Sequence, residues 1–170
     1  VCGDGGSGCC VALVSADPRM SMSTLQRRPL LLIAAAAVGV DQLSKVIVAE
    51  QLADGRSIPA IPGLLNLLLV HNTGAAFSLF RGSVGALALL SLAVSLGLLV
   101  WLVRQRSFPF WQGLALAFLL GGTIGNGIDR WRLGYVIDFL ALIPVRFPVF
   151  NVADVAINLA VICFGVDLWV

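Results

Sequence analysis

Residues 84–103 read VGALALLSLAVSLGLLVWLV, without one charged side chain. About 20 apolar residues, rising about 1.5 Å each as a helix, are what the hydrocarbon core of a bilayer demands of a spanning segment. Working outward from this run, similar stretches recur, and the expected spans are roughly 30–48, 84–103, 110–128 and 152–170. The whole chain agrees: 59% of its residues are hydrophobic and 12% charged, where soluble proteins carry about a quarter charged residues. The reading is an all-α integral membrane protein of four transmembrane helices.

The formal net charge of +2 is spread along the chain with no basic block, which argues against a nucleic-acid partner. Cys2, Cys9 and Cys10 sit in a Gly-rich head and Cys163 in an apolar run; this spacing suits neither a disulfide framework nor a metal. Residues 1–28 lack a sustained apolar stretch and are expected to be a disordered extension ahead of a membrane domain over 29–170, with Met20 and Met22 as alternative starts. The run from Leu30 is too long for a cleavable signal segment and carries Asp41 and Lys45, so a retained helix is expected.

Positive charges divide evenly between the two sides of such a bundle. The Arg27-Arg28 pair and the Arg104-Gln105-Arg106 turn lie close to span ends and favour both termini in the cytoplasm. The connections 49–83 and 129–151 then face outward. In the first, Pro59, Pro62 and Gly63 punctuate a β-favouring run from Leu64 to Val70, as expected of a small extracytoplasmic β-rich platform.

Ionisable groups in or beside a span cost roughly 2.5–3.5 kcal/mol each on insertion scales, so each needs a partner or a purpose. Asp41 and Lys45 share one helix face four residues apart, as an ion pair would. Asn126 and Arg130 are likewise four apart, beside Asp129, where the guanidinium can hold a carboxylate or a backbone carbonyl. Asp138 lies in an apolar loop stretch. Asp154 stands where the last span begins, a place for a helix cap as much as for chemistry.

Two carboxylates at one membrane boundary can hold a water between them, one ionised as base and one protonated, because like charges at short range resist joint ionisation. Rival arrangements are weaker. His71 is the only histidine, and a triad through Ser78 has little to support it. Ser44 and Lys45 are adjacent on a helix and point apart. Neither HExxH nor a phosphate-binding glycine loop is present.

Asp41-Gln42-Leu43-Ser44-Lys45, Asn72-Thr73-Gly74-Ala75-Ala76-Phe77, Gly125-Asn126-Gly127-Ile128-Asp129-Arg130, Val136-Ile137-Asp138-Phe139 and Phe150-Asn151-Val152-Ala153-Asp154 follow in that order. Together they resemble the signature blocks of the lipoprotein signal peptidase (signal peptidase II) family. The resemblance implies a multi-pass enzyme of the bacterial cytoplasmic membrane with its active site at the extracytoplasmic face. Such an enzyme removes the signal peptide of diacylglyceryl-modified prolipoproteins before the lipidated cysteine. It implies Asp138 and Asp154 as the catalytic pair, Asn126, Arg130, Asn151 and Ala153 around the site, and Asp41, Lys45, Asn72, Gly74 and Asp129 in support. Membrane lipid and globomycin-class inhibitors are the implied partners, with no cofactor or metal and a monomeric state expected. The rival class is a small transporter or channel subunit with a charge path through Asp41, Lys45, Asp129 and Arg130.

Overall fold

The computed structural model describes residues 24–74 and 83–169. The expectations for residues 1–23, for the block residues Ala75, Ala76 and Phe77, for Ser78 and for Val170 lie outside the described residues. The order of elements is β1 (Thr24–Gln26), α1 (Arg27–Gln51), β2 (Ser57–Ile61), β3 (Leu65–Asn72), α2 (Val84–Arg104), β4 (Ser107–Pro109), α3 (Phe110–Leu133), β5 (Val136–Leu142) and α4 (Val152–Trp169). Residues 24–28, read from the sequence as the end of the head, form β1 and the first turn of α1.

The helices occupy the long apolar runs because only a helix satisfies its own backbone without help from water. By length and hydropathy α1, α2 and α4 are each able to cross a membrane. Of the residues of α2, only Ala88 and Leu102 are buried, while Leu89, Leu90, Leu96 and Val100 are exposed. An outward leucine face of that size is incompatible with water and matches hydrocarbon.

The fourth long helix, α3, is built differently. Gly113, Ala115, Ala117, Gly121, Gly122 and Gly125 are buried along it, and it packs against α1, α2 and α4 alike. Small side chains let backbones approach closely where no hydrophobic drive exists between helices. A Cβ built on Gly125 would stand 2.6 Å from an Asp41 carboxylate oxygen and 3.2 Å from the Ala153 Cβ, so α1, α3 and α4 meet there only because that position is glycine.

Two small sheets close the ends. At one end β1 pairs antiparallel with β4, Thr24 opposite Pro109 and Gln26 opposite Ser107, beside an apolar cluster of Leu30, Leu102, Phe108, Leu116 and Ala117. At the other end β2, β3 and β5 form an antiparallel sheet in that order. The β2–β3 turn uses Gly63 at φ +77°, as the proline and glycine punctuation leads one to expect. The sheet rests on α1 through Val48, Leu52, Ile137 and Phe139. Gly134, at φ +78°, ends α3 and swings the chain into β5; a left-handed residue here is a common helix stop.

Candidate active site

The site is assembled where the three-stranded sheet meets the end of α3 and the start of α4. Asp138 is in β5, opposite Val70 of β3, and is 2% exposed. Asn72, at the end of β3, donates from Nδ2 to Asp138 Oδ2 at 2.8 Å, and Asn151 donates from Nδ2 to Asp138 Oδ1 at 2.7 Å. Burial pushes the Asp138 carboxyl up to about 6; the Asn72 hydrogen bond pulls the other way, and the charge of Asp154 adds to the rise.

Asp154 is held by a helix cap. The Asp154 N–H donates to Asn151 Oδ1 at 2.9 Å, and the Asn151 N–H donates to Asp154 Oδ2 at 3.2 Å. This reciprocal pair is a capping box, with Asn and Asp in place of the usual Ser and Glu. The remaining oxygen, Asp154 Oδ1, accepts from Asn126 Nδ2 at 2.8 Å. Capping and placement in the site are therefore the same set of bonds, and the two sequence readings of Asp154 are compatible. Asn151, 0% exposed, touches both acids, the side chain of one and the cap of the other.

Behind the acids lies a closed ionic cluster. Lys45 Nζ contacts Asp41 Oδ2 at 2.9 Å and Asp129 Oδ2 at 2.8 Å and donates to Asn126 Oδ1 at 3.1 Å. An ammonium has three hydrogens, and three acceptors take them. The Ala153 N–H donates to Asp41 Oδ1 and the Ile137 N–H to Asp129 Oδ2, so the cluster grips the start of α4 and the start of β5. Because Asn126 Oδ1 also accepts from Asn151 Nδ2 at 3.0 Å, the Asn126 amide has one workable orientation, with its NH2 turned to Asp154. Arg130 reaches the Asn126 and Gly74 carbonyls at 3.4 and 3.3 Å, and the Gly74 N–H donates to Asn72 Oδ1.

Of the residues expected from the sequence, Asp138, Asp154, Asn72, Asn126 and Arg130 line one cavity of about 1180 Å³. Asp41, Lys45 and Asp129 stand behind it and act through Asn126 and the two backbone N–H groups; Asn151, Ala153 and Gly74 are joined to the lining residues by the bonds above. Sequence reasoning passed over Gln42, whose Nε2 contacts Asp41 Oδ2, Asp129 Oδ1 and the Gly125 carbonyl at 3.2, 3.0 and 3.1 Å. An uncharged amide beside an intramembrane aspartate was the available signal. His71 also lines the cavity, its ring 4.3 Å from that of Tyr135. Along α4 the lining is mostly apolar, with Val155, Ile157, Leu159 and Ile162 beside the single amide of Asn158.

Chemically, the arrangement is two carboxyl groups at the head of a cavity with a polar end and an apolar side. Residues 33–170 match the family model described as signal peptidase (SPase) II. The lipoprotein signal peptidase of Parasynechococcus marenigrum (strain WH8102) is 69% identical over 150 residues, covering 88% of this chain and 94% of that protein. That of Synechococcus sp. (strain RCC307) is 57% identical over 139 residues, covering 81% and 92%. A bacterial membrane enzyme solved by the in meso method at 2.3 Å superposes with a TM-score of 0.76 at 29% identity, over 83% of this chain and 87% of that one. The apolar helices and this match along most of the chain agree, and the chain belongs to the signal peptidase II family of lipoprotein signal peptidases, which are hydrolases.

Proposed function

We propose that this chain is an aspartic endopeptidase that removes the signal peptide from diacylglyceryl-modified prolipoproteins, cutting before the lipidated cysteine. Four helices cross the bacterial cytoplasmic membrane in this reading, with the three-stranded sheet as an extracytoplasmic platform and the acids at the outer boundary. The protein works as a monomer, and globomycin-class peptides block the same cavity. α3 crosses although it carries more polar groups, because its neighbours cover it.

The observation that carries the reading is the pair itself: Asp138 and Asp154, tied to one asparagine, at the head of a cavity with an apolar flank. A lipid-modified substrate must present its scissile bond where acyl chains meet water, and the apolar wall suits the signal helix and acyl chains. One carboxylate takes a proton from the water as its oxygen attacks the scissile carbonyl, while the other acid gives its proton to the carbonyl oxygen. As the tetrahedral gem-diol collapses the C–N bond breaks, the proton gained from water leaves with the amine, and one hydroxyl returns a proton to the acid that gave it. No covalent enzyme intermediate forms. The raised value of Asp138 keeps its carboxyl protonated to higher pH than an ordinary aspartate.

A transporter reading needs a continuous charge path. Lys45 is instead enclosed by Asp41, Asp129 and Asn126, with Asp41 0% and Lys45 1% exposed. The decisive experiment uses purified Asp138→Asn and Asp154→Asn variants with a lipidated prolipoprotein. Both are expected to stay folded, to bind a globomycin-class inhibitor and to lose cleavage by at least about 10³-fold, the scale of a general acid–base contribution. Normal turnover by either variant defeats the mechanism.

A further inference from the structure

At the end of the bundle opposite the acids, three arginines converge on a second cleft. The β1–β4 pairing brings the first turn of α1 against the connection between α2 and α3, and the Arg27 N–H donates to the Arg106 carbonyl at 3.1 Å. In the angle opens a cavity of about 470 Å³ lined by Thr24, Gln26, Arg27, Arg28, Arg106 and Ser107. Every charged side chain of that lining is cationic, and the others carry neutral hydrogen-bonding groups. Arg27 Nη1 is tied to the Val103 carbonyl at 2.7 Å. Among the described residues the Arg28 and Arg106 side chains form no ion pair, not even with Asp167 in the last turn of α4. Cations gathered without a counter-charge repel one another, and an anion placed between them removes that cost. Guanidinium forks match the oxygens of a phosphate, with two parallel hydrogen bonds each.

The depth of the cleft says which phosphate is at hand. Trp101 packs edge-on to Phe108, Trp111 edge-on to Phe110, and Trp169 is 88% exposed at the end of α4. Three of the chain's four tryptophans thus gather at this end, as they do where a membrane helix passes the headgroup layer. We propose that this cleft binds the headgroup phosphate of an anionic phospholipid, with Arg28 and Arg106 gripping the phosphate oxygens and Arg27 forming the floor. The inference rests on the helices crossing a bilayer and is independent of the peptidase chemistry. Its effect is to fix the level of the bundle relative to the lipid phosphates.

The test titrates the purified full chain in a neutral detergent with short-chain phosphatidylglycerol, with phosphatidylcholine of the same acyl length, and with inorganic phosphate. Thermal stability and native mass are the readouts. Phosphatidylglycerol is expected to give a saturable rise in Tm with one bound lipid, and phosphatidylcholine none. The double variant Arg28→Gln with Arg106→Gln, which leaves Arg27 on Val103, is expected to keep the lipid-free Tm and to bind about 30-fold more weakly. Should its lipid-free Tm fall, Arg28→Gln alone carries the test, with an expected loss of about 5-fold. Equal effects of the two lipids, or unchanged phosphatidylglycerol affinity in the variants, overturn the proposal. If inorganic phosphate alone reproduces the shift at the same affinity, the cleft takes soluble phosphate and the lipid assignment falls.

Discussion

The Asn72 amide stabilises the ionised form of Asp138 by donating to it. In the proposed mechanism the pair works with one proton between its two acids, and the two carboxyls titrate as a unit. A carboxyl raised to about 6 keeps its proton to higher pH than an ordinary one, so kcat/KM declines as pH climbs through that upper step. Asn72→Ala removes a donor to the anion. The proton is then held more tightly, and the falling limb is expected to move upward by roughly one pH unit; a limb that stays in place or moves down refutes the assignment. Lys45 offers a second test. Lys45→Met leaves Asp41 and Asp129 buried as neighbouring anions without a cation, at a cost of about 3–5 kcal/mol. Unfolding in detergent should begin at clearly lower denaturant, and a variant as stable as the wild type would show the cluster to be unimportant. At this scale the sequence was informative about which groups are ionisable and why they need partners. Spacing foretold the Asp41–Lys45 pair, but the partners across helices were hidden, because Lys45 also reaches Asn126 and Asp129 on α3 and because Gln42 carries no charge to draw the eye.

Helices are the elements easiest to read from such a chain, since an apolar run of bilayer length has few other fates. Their ends were less legible. α1 and α3 continue past the apolar runs to Gln51 and Leu133, and the residues that extend them, Glu50 and Gln51 on α1 and Trp131 to Leu133 on α3, are exposed. The β1–β4 strap joins segments about 80 residues apart, and three-residue strands leave no periodic pattern to detect. The β2–β3 hairpin could be foreseen from its prolines and glycine, whereas the partner strand β5 required the fold. Close contact of α1, α3 and α4 at Gly125 gives the prediction for this scale. Gly125→Ala forces a methyl against the Asp41 carboxylate and is expected to destabilise by about 1–3 kcal/mol and to reduce cleavage. Gly97→Ala, on α2 with nothing within 4 Å of the added carbon, is expected to be neutral or stabilising by up to about 1 kcal/mol. Similar losses from both substitutions, followed by thermal unfolding, would remove the case for a close three-helix contact.

As a whole the molecule has two unlike ends, one holding the acids and the three-stranded sheet, the other the arginines and the strap. The proposed orientation sets the first outside the cell membrane and the second inside. With the native cysteines replaced by serine, Ser57→Cys on β2 is expected to react with an impermeant thiol reagent in intact cells. Ser107→Cys on β4 is expected to react only after permeabilisation, and the reverse pattern would turn the topology over. Basic residues on both faces made this the least legible property of the chain. Asn151 and Asp154 follow Asp138 in chain order, and the asparagine that caps α4 also holds both acids. A growing polypeptide that has released its first three helices and β5 therefore owns Asp138 and no mate for it. In the proposed chemistry hydrolytic competence arrives with α4, and an unfinished copy is harmless to its neighbours.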